Sequence, residues 1–205
     1  MALLTEDEQK QVAAAIEAVE RQTDAELVTV LAASADDYAY VPLIWAGLVA
    51  LLLPGLINFY PGWLNANELL LTQIATFIVV ALLCRVLAIT TRLVPASVRH
   101  WRAGSLARRQ FLEQNLHATA NGTGILIFVS EAERYVEIIV DDGIARQVDD
   151  LVWRSMVDVF TRQVSEGKIL QGFLGCIRSC GEVLSDRVPV TQPRNELPNR
   201  LVVLE

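Results

Sequence analysis

Apolar positions along this chain fall into three regimes. In the first, they recur at helical spacing: Val12, Ile16 and Val19 form one stripe on the polar segment TEDEQKQVAAAIEAVERQ, residues 5–22. Thr5 is placed to be its N-cap, with Glu8 three residues on to complete a capping box. Residues 26–33, ELVTVLAA, then form a short apolar run that predicts a strand.

The second regime has no periodicity at all. From Val41 to Tyr60 the chain carries no charge, and from Leu69 to Ile89 its only charge is Arg85. Each run is about as long as one helical crossing of a bilayer, roughly 20 residues. Neither keeps the polar face of a helix that covers a soluble core. The spacer PGWLNANE opens on a Pro61-Gly62 turn. Pro54 is tolerable in a membrane helix whose neighbours satisfy the freed carbonyl, and Trp45, Tyr60 and Trp63 suit interfacial depth. A two-helix transmembrane hairpin is therefore expected over residues 41–90.

The third regime is mixed. Residues 97–118 predict a basic amphipathic helix with Val98, Trp101, Phe111, Leu112 and Leu116 as its apolar positions, ended by Asn121-Gly122-Thr123-Gly124. Ile125–Ser130 and Tyr135–Val140 read as two strands of a hairpin around Glu131-Ala132-Glu133-Arg134. Helices are expected over 149–165 and 171–186, with Gly167 and Gly172 between them. The order predicts an α/β domain, a small mixed β-sheet flanked by helices, interrupted by the inserted transmembrane hairpin. The expected division is 1–40 for the first part of the domain, 41–90 for the hairpin, 91–120 for the basic juxtamembrane helix and 121–205 for the rest.

Composition narrows the class. An apolar fraction of 53% excludes a disordered chain, and three cysteines in 205 residues exclude a disulfide scaffold. A net charge of −7 excludes a globally basic nucleic-acid binder. Charge asymmetry sets the expected orientation: residues 1–40 hold 2 basic and 9 acidic groups, residues 91–120 hold 5 basic and 1 acidic. The basic groups are Arg92, Arg99, Arg102, Arg108 and Arg109. By the positive-inside rule both termini are cytoplasmic, and those arginines lie at the lipid surface. Residues 1–40 are too acidic and too long to be the charged lead of a signal peptide.

The stretch GTGILIFVSEAERYVEIIVDDGI (122–144), followed by Trp153, Gly172-Phe173-Leu174 and Asn195-Glu196-Leu197-Pro198, resembles the bacterial membrane branch of the TPM domain family. The opening segment from Glu20 to Val28, ERQTDAELV, is similar to that family's first helix-to-strand junction. The resemblance spans residues 5–40 and about 95–200. It implies a small β-sheet flanked by helices, and a place in the bacterial inner membrane. Acid phosphatase activity and calcium binding are attributed to plant members, whereas most bacterial members have no assigned activity.

The residues themselves supply little catalytic chemistry. Cys176 and Cys180 are four apart on one helix face and read as small apolar packing residues, and Cys84 lies within the second membrane run. His100 and His117 are too far apart to chelate, and the glycines at 122 and 124 have no following lysine. The acidic groups remain. Asp141, Asp142, Asp149 and Asp150 cluster around one strand–helix connection and are the candidate ligands for Ca²⁺ or Mg²⁺, although Asp149 is also a natural N-cap and Asp141-Asp142-Gly143 a natural turn. Two functions follow: a non-catalytic interaction or assembly module tethered at the membrane surface, or a divalent-metal-dependent phosphatase-like hydrolase. The expected partners are the lipid bilayer and a membrane protein, with no nucleic acid.

Overall fold

The computed structural model describes residues 4–57, 59, 65–86, 94–191 and 196–204. It divides into two compact units, residues 36–99 and the remainder of the chain, residues 1–35 with 100–205.

The larger unit is built on a four-stranded mixed sheet. Its strands are β1 (Glu26–Ala32), β2 (Gly124–Ser130), β3 (Tyr135–Val140) and β4 (Leu201–Leu204), in the order β3-β2-β1-β4. β1 pairs in parallel with both β2 and β4, and β2 pairs antiparallel with β3. The β2–β3 connection turns at Arg134, whose φ of 52° lies in the left-handed region. Every residue of β1 and β2 is buried, as expected for central strands covered on both faces.

Pleating sends alternate side chains to the two faces. Leu27, Leu31, Ile125, Ile127 and Val129 point into the larger core, shared with α1 (Glu6–Glu20), α6 (Asp150–Ser165) and α7 (Ile169–Arg187). Val28, Val30, Ala32, Leu126 and Phe128 point to the other face, against α4 (Ala96–Glu113) and Leu116. α1 begins as expected: the Glu8 amide donates to Thr5 Oγ1 at 3.3 Å, and the Thr5 amide donates to Glu8 Oε2 at 2.8 Å.

Three elements differ from the sequence expectation. α4 ends at Glu113, and the chain turns through Asn115 (φ 58°) into a single 3-10 turn, Leu116–Ala118. Its inward face is the small set Ala103, Gly104 and Ala107, so Leu112 and Trp101 are exposed and Phe111 is half-buried. A four-residue helix, α5 (Asp142–Ala145), and the strand β4 have no counterpart in the sequence reading.

The smaller unit is a pair of helices, α2 (Tyr40–Ile57) and α3 (Ala66–Val86), with Tyr38, Val41 and Val94 enclosed together at its base. Tyr40–Ile57 and Ala66–Cys84 have mean hydropathies of 2.1 and 1.9, long and apolar enough to cross a membrane. Tyr60, Trp63 and Arg92, and the side chain of Arg85, lie outside the described residues.

α6 and α7 meet at an aromatic contact that tests the packing. Phe160 and Phe173 stack edge-to-face, 5.1 Å between centroids, and Gly172 lies against the Phe160 ring. A Cβ at Gly172 would come 2.2 Å from that ring, which is 1% exposed and has no room to move. Gly172→Ala gains up to about 1 kcal/mol of helix propensity but overpacks by about 1–3 kcal/mol, so a net loss is expected. At Gly175 the nearest atom to a Cβ is Gln163 Oε1 at 4.0 Å. Thermal melts should therefore show Gly172→Ala lowering Tm and Gly175→Ala raising it.

Candidate functional site

The buried polar groups of the larger unit concentrate where α1 ends and β1 begins. Glu20 closes α1 and Glu26 opens β1, 9% and 4% exposed. A carboxylate that far from water needs donors. Glu20 accepts from the Leu27 amide at 2.9 Å. Glu26 accepts from the Glu196 and Leu197 amides at 2.9 and 3.2 Å. Asp24 accepts from the Thr191 amide at 2.9 Å and from its hydroxyl, while Thr23 donates its hydroxyl to the Val188 carbonyl. Glu196 in turn accepts from the Ala120 amide at 3.2 Å. The acidic junction motif thus fastens the segment that leads into β4.

Burial dominates the titration of Glu20 and Glu26. It lifts Glu20 to about 7, against the pull of the Leu27 N–H, and the neighbouring Glu26 charge raises it further. Burial also raises Glu26, opposed by the two amides it accepts from, with the Glu196 charge adding to the rise. A second cluster lies between α4 and β3. His100 tilts against Tyr135 at 5.6 Å between rings, and a Cβ at Gly104 would sit 3.1 Å from the Tyr135 hydroxyl. Burial and then the Glu137 charge push Tyr135 up to about 12. Burial raises Glu137, and the Tyr135 hydroxyl and the Arg108 guanidinium lower it.

The residues singled out from sequence are placed as follows. Asp141 caps α5, accepting from the Asp142 amide at 2.8 Å, and Asp142 faces Arg146 at 4.0 Å. Asp149 caps α6, accepting from the Leu151 amide at 2.9 Å, and Asp150 pairs with Arg154 at 2.5 Å. Among the described residues no group of three or more His, Cys, Asp or Glu side chains is placed to hold a metal ion. Arg108 and Arg109 are exposed; Arg99 and Arg102 are half-buried, with the Arg102 guanidinium 5.1 Å above the Trp101 ring. Cys176 and Cys180 are buried, Cys84 is half-buried, and His117 is exposed. Sequence reasoning passed over Glu20 and Glu26 as site residues. Their signal was there: both belong to the segment ERQTDAELV, and Glu26 holds the residues that open the later motif Glu196-Leu197-Pro198.

A carboxyl raised from 4.5 to about 7 on folding holds its proton more tightly in the native chain. Folding stability is then unaffected below pH 4.5, falls as pH rises from 4.5 to 7, and stays reduced above. Glu20→Gln removes that penalty while keeping an acceptor for the Leu27 amide. Denaturant melts should show the variant more stable than wild type at pH 8, by up to about 3 kcal/mol. The two should converge near pH 4.5.

Residues 86–183 match the model of the TPM domain family. No curated protein matches the sequence. Among solved structures, the NMR structure of the BA42 protein from the psychrophilic bacterium Bizionia argentinensis is similar in fold. It is 18% identical, with a TM-score of 0.60, covering 98% of this chain and 94% of that one. The matched segment, just under half of the chain, contains β2, β3 and the helices that follow them, and it is similar to the TPM domain family.

Proposed function

We propose that this chain is a TPM-domain protein of the bacterial inner membrane, anchored by the α2–α3 hairpin. Its domain then serves as a non-catalytic interaction or assembly module for a membrane-protein partner at the cytoplasmic surface. The observation that carries the anchor is the inversion of the usual burial rule. On α2 the enclosed positions are Val41, Pro42, Ala46, Ala50 and Pro54, while Leu43, Ile44, Leu48, Leu51 and Leu52 face outward. On α3 the outward residues include Leu70, Leu71, Ile74, Phe77 and Ile78, and none of its membrane-length window is buried. Small residues between helices and large apolar ones outside suit a surrounding lipid, where contact between backbones replaces the hydrophobic drive. In water the same surface would be an aggregation site.

Orientation rests on the arginines. Arg92, Arg99, Arg102, Arg108 and Arg109 follow the second apolar run, and anionic lipid attracts each nearby basic side chain by about 1 kcal/mol. The first half of α4, with exposed Trp101, is the part assigned to the headgroup layer. The non-catalytic reading is supported by how the reactive groups are spent. Glu20 and Glu26 accept from backbone amides, and the four aspartates cap or pair within their own helices. A divalent-metal-dependent phosphatase-like hydrolase using Ca²⁺ or Mg²⁺ would need Asp141, Asp142, Asp149 and Asp150 released from those duties.

The test has three arms on membranes expressing the full chain. The protein should resist alkaline carbonate extraction, and a variant with residues 36–99 replaced by a short polar linker should be extracted. Reporters fused at either terminus should both read as cytoplasmic. A generic phosphomonoester should not be turned over with Ca²⁺ or Mg²⁺ present. Extraction of the full chain refutes the anchor, a periplasmic reporter refutes the orientation, and metal-dependent turnover lost in the four-Asn variant favours the hydrolase.

A further inference from the structure

Three sulfur atoms meet between α6 and α7, and neither the anchor nor the acidic junction uses them. Cys176 and Cys180 lie one turn apart on α7, so both thiols face the same neighbour. Both are buried, at 5% and 0% exposure. α6 supplies the third: Met156 Sδ stands 3.9 Å from Cys180 Sγ. We propose that Cys176, Cys180 and Met156 form a soft-metal site that takes one monovalent copper ion in trigonal sulfur coordination.

Geometry and ligand chemistry agree on the ion. A metal–sulfur bond of about 2.3 Å, in a planar trigonal array, places the sulfurs about 4.0 Å apart. The Cys180–Met156 edge already has that length at 3.9 Å, so loading needs little movement. Thioethers are soft donors that select Cu(I), and the oxygen-seeking cations Ca²⁺, Mg²⁺ and Mn²⁺ are excluded. Zn²⁺ asks for four ligands in a structural site. No cluster of three or more His, Cys, Asp or Glu side chains that could supply such a set occurs among the described residues.

The surroundings give access and a proton balance. A groove of about 390 Å³ opens beside Met156, Gly175 and Cys176, and Gly175 has no side chain to close it. Contact with the Cys176 thiol, and then burial, push the Cys180 thiol well up. Binding then exchanges two S–H protons for one Cu⁺ and two metal–thiolate bonds, with no electron transferred.

The test uses the full chain in detergent, under reducing anaerobic conditions, with Cys84→Ala to remove the remaining thiol. Cu(I) is titrated against the chelator bicinchoninate. One ion per chain should be retained, and X-ray absorption should show three sulfur neighbours near 2.3 Å. Met156→Leu preserves the packing volume, so it should fold, lose one sulfur neighbour and bind at least tenfold more weakly. A Cys176→Ala, Cys180→Ala chain should retain none. Three results overturn the site: no retained copper in the Cys84→Ala chain, an unchanged sulfur count in Met156→Leu, or copper still held when both cysteines are replaced.

Discussion

The fold depends on one strand being claimed from both sides. β1 is paired in parallel with β2 along its whole length and with β4 along Thr29–Ala32, and both faces of it are covered. Parallel pairing forbids a tight turn, because the chain must travel back outside the sheet before it can pair again. The connection from β1 to β2 therefore has to be long, and α4 is the helix that covers the sheet within it. Such a connection is where a large insertion costs least. Loop-closure entropy grows only as about (3/2)RT ln n, so stretching a 30-residue crossover to some 90 residues costs about 1 kcal/mol. The α2–α3 hairpin occupies that position, and the register of β1 on β2 is unbroken by it.

The second claim on β1 explains the buried acids. β4 comes from the far end of the chain, and a four-residue strand has few ladder bonds to hold it. Glu26 supplies the missing hold by accepting from the Glu196 and Leu197 amides, a charged acceptor for two backbone donors. Asp24 does the same for Thr191. Glu20 is the cost of the arrangement, since a second carboxylate enclosed beside the first keeps its proton near neutral pH. Local polar bonding at this corner thus stabilises a pairing that sequence separation makes entropically unfavourable.

What could be read from sequence follows from how local each cause is. The capping box at Thr5 and Glu8, the N-cap at Asp149 and the strand pair around Arg134 are decided within a few residues, and all are present. Of the apolar residues expected to face the core from the helix over 97–118, Leu116 is buried and Phe111 packs against the sheet, whereas Leu112 is exposed. Against a closely packed sheet α4 presents Ala103, Gly104 and Ala107, letting Tyr135 approach and leaving Trp101 and Leu112 outside. β4 escaped because LVVL is too short to signal itself and exists only through β1. Glu20 and Glu26 look like surface residues until the tail closes over them. Met156 likewise gains meaning only when α6 lies beside α7.

The two units obey opposite packing rules, and that contrast joins fold to function. In the sheet domain Phe160, Phe173 and Ile177 are inside, while Arg154, Asp158 and Arg178 are outside. In the hairpin alanines and prolines are inside and leucines outside. The first pattern is that of a domain folded by burial from water, and the second is the one the proposed lipid-embedded anchor requires. The boundary between the patterns falls within α4, which starts beside the hairpin residues and ends against the sheet. Its arginines and exposed Trp101 are the residue types that tolerate such a boundary, each pairing an apolar body with a polar end. On this reading α4 is more than a crossover. Along the chain it is the element that joins the proposed membrane anchor to the sheet domain.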